Sequence, residues 1–163
     1  MALLISDTNI FIDFEDGGLL QALFRLPESV GVPDLLFEDE LRDEHAHLLD
    51  HGLVLVELSA GTIARAVELA AKYRKPSRLD LAALAAAEQE SCPLLTGDRS
   101  LRSAARAEGV EVHGTLWVAE RLVRAGVVST PQLRTAYAKM KASGRRLPWV
   151  EVERQLQRLA SSG

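Results

Sequence analysis

A chain of 163 residues that is 47% hydrophobic and 26% charged has enough apolar matter for one packed core and is not disordered. One cysteine, Cys92, excludes an internal disulfide and a cysteine-rich zinc site, and no apolar run approaches the ~20 residues that span a bilayer. The net charge of −4 hides an asymmetry, since residues 1–70 carry 14 acids and 3 bases and residues 71–163 carry 9 acids and 16 bases. A global charge argument for nucleic-acid binding therefore fails, while a local one in the basic half survives beside the plainer reading of a surface with unevenly dealt charge.

ALLIS (2–6) reads as a short buried strand that runs into Asp7-Thr8-Asn9. Either the strand ends there and Asp7 caps the segment after it, or Asp7 sits at the mouth of a cleft. Two glycines before LLQALFR give a turn into a short helix. SVGVPD (29–34) is a second strand stopped by Pro33. Asp34 is placed to cap one helix running to Gly52, with Leu36, Phe37, Leu41 and Leu48 as its apolar face. Glu40 and Glu44 fall on or beside that face. LVLVEL (53–58) is a third strand. TIARAVELAAKYRK (62–75) is helical, with Ile63, Ala66, Val67, Ala70 and Tyr73 on one stripe. SRLDLAALAAAEQE (77–90) is a helix apolar nearly all round, hence central. Cys92 falls just before the strand of PLLTGD (93–98) and reads as a small core residue. RSLRSAARAEG (99–109) is a helix, VEVHG (110–114) a fifth strand, and TLWVAERLVRAG (115–126) a further helix. Thr130-Pro131 opens a helix that Gly144 ends, and Pro148 opens another.

Alternating strands and helices predict an α/β three-layer sandwich with a central parallel sheet, here residues 1–128, followed by a C-terminal helical hairpin, residues 129–163, packed on the same domain. Ligands of such sheets bind beyond the carboxyl ends of the strands. Asp7 follows the first strand and Asp98 the fourth. Asp80 begins the helix leading into the fourth, and Glu40 lies in the helix after the second. Each has a structural reading. Asp98 can cap the next helix, Asp80 stands three residues after Ser77 as in a capping box, and Glu40 lies among Glu38, Asp39, Asp43 and Glu44. Together they form a repelling set. At ~4 Å and an effective dielectric of ~20, each like pair costs about 4 kcal/mol. A divalent cation removes that penalty, and carboxylates suit Mg²⁺ or Mn²⁺.

LLISDTNIFID, VPDLLFEDEL, SRLDLAALAAA and LLTGDRSLRSAARAEGVEVHGT together resemble the PIN-domain nucleases, over residues 3 to about 125. The later stretch VHGTLWVAERLVRAG and the tail look like a prokaryotic subgroup related to the VapC-type toxins of toxin–antitoxin pairs. The resemblance implies the sheet order 3-2-1-4-5, and cleavage of single-stranded RNA with Mg²⁺ or Mn²⁺. Asp7, Glu40, Asp80 and Asp98 would be the catalytic, metal-holding acids, with Asn9 and Thr96 in support. It also implies an antitoxin partner and the homodimer that PIN relatives commonly form, and the short apolar runs point to no membrane. Many relatives carry a further acid close behind the Asp98 position, where this chain has Arg99, Leu101 and Arg102. The number of metals, one or two, stays open.

The residues fit that chemistry independently. Phosphodiester cleavage by metal-activated water needs no nucleophilic serine or cysteine. Arg99 and Arg102 follow Asp98, and Lys72, Arg74, Lys75 and Arg78 precede Asp80. Of these, Arg99, Arg102, Lys75 and Arg78 are the expected RNA contacts, against the plainer reading of a solvated basic loop. Trp117 and Trp149 either stack on bases or pack in the helical layer. His47 and His51 stand at zinc-chelating spacing but without an intervening Glu, and with His45 read as a solvated helix face. A haloacid-dehalogenase-type phosphatase would need an Asp where Asn9 stands. A receiver domain would need a Lys where His113-Gly114-Thr115 follows the fifth strand. An inactive PIN-like module that binds RNA or protein is the remaining alternative. The absence of a basic, apolar leader ahead of Asp7 and the single cysteine set the expected location in a reducing cytoplasm.

Overall fold

The computed structural model describes residues 2–162; Met1 and Gly163, the outer bounds of the two expected regions, lie outside the described residues. Five strands, β1 (Leu3–Ser6), β2 (Ser29–Pro33), β3 (Val54–Val56), β4 (Leu94–Leu95) and β5 (Val112–His113), form one parallel sheet in the order β3-β2-β1-β4-β5. The order agrees with the sequence expectation. Helices cover both faces of such a sheet, so the central strand β1 reads LLIS, an apolar run with no alternation. Ile5 pairs with Gly31 on one side and Leu94 on the other, and Ser6 pairs with Leu95. At Gly31 an added Cβ would stand 3.0 Å from the Val54 carbonyl oxygen, so β2 and β3 approach closely there and a larger residue would press on β3. The edge strand β5 is shorter than the predicted VEVHG, since only Val112 and His113 find partners on β4.

Two helical stretches differ from expectation. Residues 8–16, where the letters mark no element, form α1 (Thr8–Asp16), which buries Ile10, Phe11 and Phe14. It leads through Gly17-Gly18 into the short α2 (Leu20–Leu23). The single helix expected from Asp34 to Gly52 is instead α3 (Asp34–Leu36), a π-helical turn (Phe37–Leu41), α4 (Arg42–His45) and a 3-10 turn (Ala46–Leu49). The reason lies in the spacing of its apolar residues. The five-residue step from Leu36 to Leu41 needs a widened turn to keep both inward, and the three-residue step from His45 to Leu48 a tightened one. All four predicted apolar positions are buried, whereas Glu40 and Glu44 are exposed rather than inward.

α5 (Ala60–Lys72) starts at the Ser59 cap, whose Oγ accepts from the Thr62 N–H at 3.1 Å, and ends where Tyr73 turns extended. Leu69 leads its buried face. Ala66, Ala70 and Tyr73 pack beside it, but Ile63 and Val67 are 46% and 66% exposed, so the predicted stripe is rotated. α6 (Arg78–Glu90) is the expected central helix, buried from Leu81 through Ala87 and ended by Ser91 in the left-handed conformation at φ 52°. Cys92 after it is half-buried. α7 (Arg99–Ala107) and α8 (Thr115–Arg124) complete the layers.

The tail forms α9 (Thr130–Ala142) and α10 (Trp149–Ser162). A Ser129–Gln132 capping box and Pro131 start α9. It lies so close to α1 that a Cβ on Gly17 would come within 2.7 Å of Met140 Cε. Tyr137 donates to Gln155 at 2.5 Å, and Gln155 donates to the Leu116 carbonyl at 2.7 Å, joining α9, α10 and α8. Leu133, Tyr137, Met140, Val152, Leu156 and Leu159 belong to the same buried cluster as β1 and α6. Among the described residues no helix is long and apolar enough to cross a membrane.

Candidate active site

The carboxyl ends of β1 and β4 are neighbours, and the sheet order reverses between them. Asp7 follows β1 directly, its N–H bonded to the Leu95 carbonyl at 3.1 Å. Its side chain does two things at once. Oδ1 accepts from the Ile10 N–H at 3.1 Å and so caps α1, and Oδ2 accepts from the Thr96 hydroxyl. The residue is 1% exposed. Burial pushes its carboxyl up from 3.8 to about 7, against the bonds from Thr96 and Ile10 and with help from the charges of Asp80 and Asp13. The capping role weighed for Asp7 from the sequence is therefore present.

Thr96 is fully buried after β4 and links the two strand ends: its hydroxyl donates to Asp7 and accepts from the Asp98 N–H at 3.0 Å. Asp98 caps α7, with Oδ1 accepting from the Ser100 N–H and hydroxyl at 2.8 Å each and from the Leu101 N–H at 3.4 Å. Its capping reading from the sequence is correct. So is that of Asp80, whose Oδ2 accepts from the Ser77 N–H at 3.0 Å while Ser77 Oγ accepts from the Asp80 N–H at 3.0 Å. An aspartate thus fills the third helical position where Glu or Gln is usual.

Glu40 lies on the π-helical turn. Although the residue as a whole is exposed, burial at its carboxyl end pushes the group above its usual range, and the charges of Asp80 and Asp39 add to that. The Thr8 hydroxyl opposes the shift. It is buried and makes no hydrogen bond of good geometry, so it stands near Glu40 without closing on it. The charge of Asp80 therefore bears on both Asp7 and Glu40, whereas Asp98 joins Asp7 through Thr96. Among the described residues no three His, Cys, Asp or Glu side chains are gathered closely enough to hold a metal ion by themselves.

Sequence reasoning missed Asp13. It is buried on α1, accepting from the Thr115 hydroxyl at 2.6 Å and from Arg145 Nε at 2.6 Å. The available signal was an acid inside the apolar run IFIDF, which needs a partner wherever it is buried. Arg145 and its neighbour Arg146, in the α9–α10 loop, belong to no motif that would mark them.

Of the cations singled out from the sequence, Lys72 is occupied: Glu108 accepts from it at 2.8 Å and from Arg65 Nη2 at 2.6 Å. Lys75 and Arg99 share a cleft of about 750 Å³ with Asp98. A second cleft, of about 710 Å³, brings Asn9, Asp98, Arg99 and Arg102 together with Arg145 and Arg146. Arg78 is exposed and lines neither. Burial and the nearby Arg106 lower the Arg102 guanidinium below its ordinary value, and its Nε is buried without a partner.

The aromatic and histidine readings resolve into packing. Trp117 is half-buried and stacked on His113, with ring centroids 4.0 Å apart. Trp149 is half-buried beneath Lys141. His47 and His51 are exposed as expected, but His45 is buried, with Nε2 2.7 Å from Glu15.

Residues 3–161 match the profile of the family described as DUF3368, a PIN domain. The chain belongs to this PIN-domain family. No curated protein matches it. Among solved structures, this PIN domain is similar to a chain of the VapBC2 crystal structure from Rickettsia felis, bound to a DNA fragment from their promoter. Identity is 14% and the TM-score 0.48, over 69% of this chain and 98% of the other.

Proposed function

We propose that this PIN domain is a metal-dependent endoribonuclease that cleaves single-stranded RNA as the VapC-like toxin of a toxin–antitoxin pair. One observation carries the reading beyond family membership. A buried carboxyl, Asp7, stands where the sheet order reverses, and the charge of Asp80 makes its ionised form harder to hold. A cation is what would relieve it. The residues fit Mg²⁺ or Mn²⁺ by chemistry, being all-oxygen donors, and the lack of a ready cage does not oppose Mg²⁺. That ion keeps several waters and is held through one or two carboxylates plus substrate phosphates. Asp7, Asp98, Asp80 and Glu40 would hold it, and when bound it would activate water and shield the developing charge. Thr96 fixes the rotamer of Asp7, Asn9 faces the cleft beside Asp98, and Arg99 and Arg102 draw the phosphate chain.

Residues 1–128 are the nuclease part of this proposal and 129–163 an extension on the same domain. A cytoplasmic location, homodimers, and an antitoxin that inserts an Arg or Lys near Asp7 and Asp98 belong to it as well. The test is cleavage of single-stranded RNA with Mn²⁺ or Mg²⁺ and its arrest by chelator. Asp7→Asn and Asp98→Asn should each abolish cleavage while the chain stays folded; wild-type activity in both sinks the assignment.

The capping roles of Asp80 and Asp98 favour a second reading, an inactive module that binds RNA or protein. In that case a Mn²⁺ titration leaves the melting temperature unmoved, whereas a nuclease gains stability with metal concentration.

A further inference from the structure

Between α7 and the α9–α10 loop lies a cleft of about 500 Å³ lined by Arg99, Arg102, Arg106 and Arg146 and by no acid. Among the described residues none of these four arginines takes part in an ion pair. Elsewhere several exposed arginines find carboxylates, as Arg134 finds Glu153 and Arg154 finds Glu151, and the unpaired Arg25, Arg74 and Arg78 do not line this cleft. Four unpaired like charges on one wall raise the energy of the free protein, and a polyanion lowers it. Arg102 adds a buried Nε without a partner.

This cleft adjoins the one that reaches Asn9 and Asp98, the two sharing Arg99, Arg102 and Arg146. On the far side of Asp98 and Arg99 the cleft of Arg74 and Lys75 begins. Asp98 therefore stands midway along a cationic furrow. Arg145 is pinned to buried Asp13, which fixes the backbone of Arg146 at the rim, and Leu147 and Pro148 give the furrow an apolar patch against which ribose and base faces can lie.

We infer that the C-terminal hairpin supplies part of a substrate track: a single RNA strand runs from Lys75 over Asp98 into the arginine cleft that Arg146 closes. The inference rests on the nuclease reading for its substrate. Its test is separate because it needs no cleavage.

Binding of a labelled single-stranded RNA to the full chain is measured in chelator across a salt series. Removing one phosphate-binding cation should lower the slope of log K against log salt by about 0.7. Arg146→Ala and Arg106→Ala, both exposed positions, should each show that reduced slope with severalfold weaker binding. Arg146→Glu should show more. Arg154→Ala, the same charge change on α10, should match the wild type. Arg146 variants that bind like Arg154→Ala overturn the track even if the wild type cleaves RNA. So does an oligoglutamate peptide that competes as well as RNA at equal charge, since the furrow would then fit an acidic protein segment. A wild-type chain that binds RNA with the expected reductions in the variants but never cuts it upholds the track and sinks the nuclease reading. A wild-type chain that binds no RNA overturns both.

Discussion

Asp7 is the residue whose proton is most displaced from its ordinary affinity at the end of β1. Its carboxyl titrates near 7 in the folded chain against an ordinary 3.8, so the folded state holds the proton more tightly than the unfolded one. Stability from this group is greatest below 3.8, falls as pH rises from there to 7, and is flat above. Asp7→Asn keeps a capping side chain and removes the charge. In chelator at pH 8 the variant should therefore melt higher than the wild type, by on the order of a few kcal/mol at most, and the gap should close toward pH 4. Mn²⁺ should narrow the gap at pH 8 by stabilising only the wild type; thermal melts at the two pH values, with and without metal, check both statements. The places of Asp7 and Asp98 at strand ends were legible from the apolar runs that precede them, whereas Thr96 entered only through the family resemblance. Asp13 was not, because its partners Thr115 and Arg145 lie 102 and 132 residues away along the chain and only the fold brings them together.

At the level of elements, helices with a single period were legible and those without were not. α6 is apolar all round with a Ser77 cap, and both features show in the letters. α1 opens on a hydroxyl and an amide and then runs Ile-Phe-Ile, so neither helical nor strand spacing stands out until Asp7 before it is seen to cap it. The segment after β2 changes its winding twice, and no fixed period describes it. How elements are tied across the sheet also escapes the letters. Glu108, at the end of α7, accepts from Lys72, Tyr73 and Arg65 of the α5 region, and these partners hold its carboxyl down to about 2 from an ordinary 4.5. The stabilisation is complete above 4.5 and is lost as pH falls from there to 2. Glu108→Gln should make the chain less stable at neutral pH and flatten the acid limb of its stability curve, measured by denaturant unfolding between pH 2 and 6.

For the molecule as a whole, the sheet order was legible through the family resemblance, and the hairpin through its prolines and glycine, but the grip of the tail on the site was not. Arg145 reaches Asp13 from the α9–α10 loop, and Gly17 admits Met140 against α1. Arg145→Ala strands a buried carboxylate. Breaking one side of such a pair costs 3–5 kcal/mol, and about 3 kcal/mol is expected here because Arg145 is partly exposed. Asp13→Asn together with Arg145→Ala should recover part of the loss, since no charge is then left buried; urea unfolding of the single and double variants measures it.

Thr96 has one proton to give and spends it on Asp7, while the Asp98 amide points at the same oxygen. The three groups form a one-way relay whose links polarise one another. When Asp7 takes up a proton near neutrality, its carboxyl ceases to pull on the hydroxyl, and the amide behind it feels the change. The Asp98 N–H is thus a built-in spectroscopic reporter. Its chemical shift, followed against pH, traces the titration of a carboxyl too buried for solvent probes, and in Thr96→Val the same signal should fall silent.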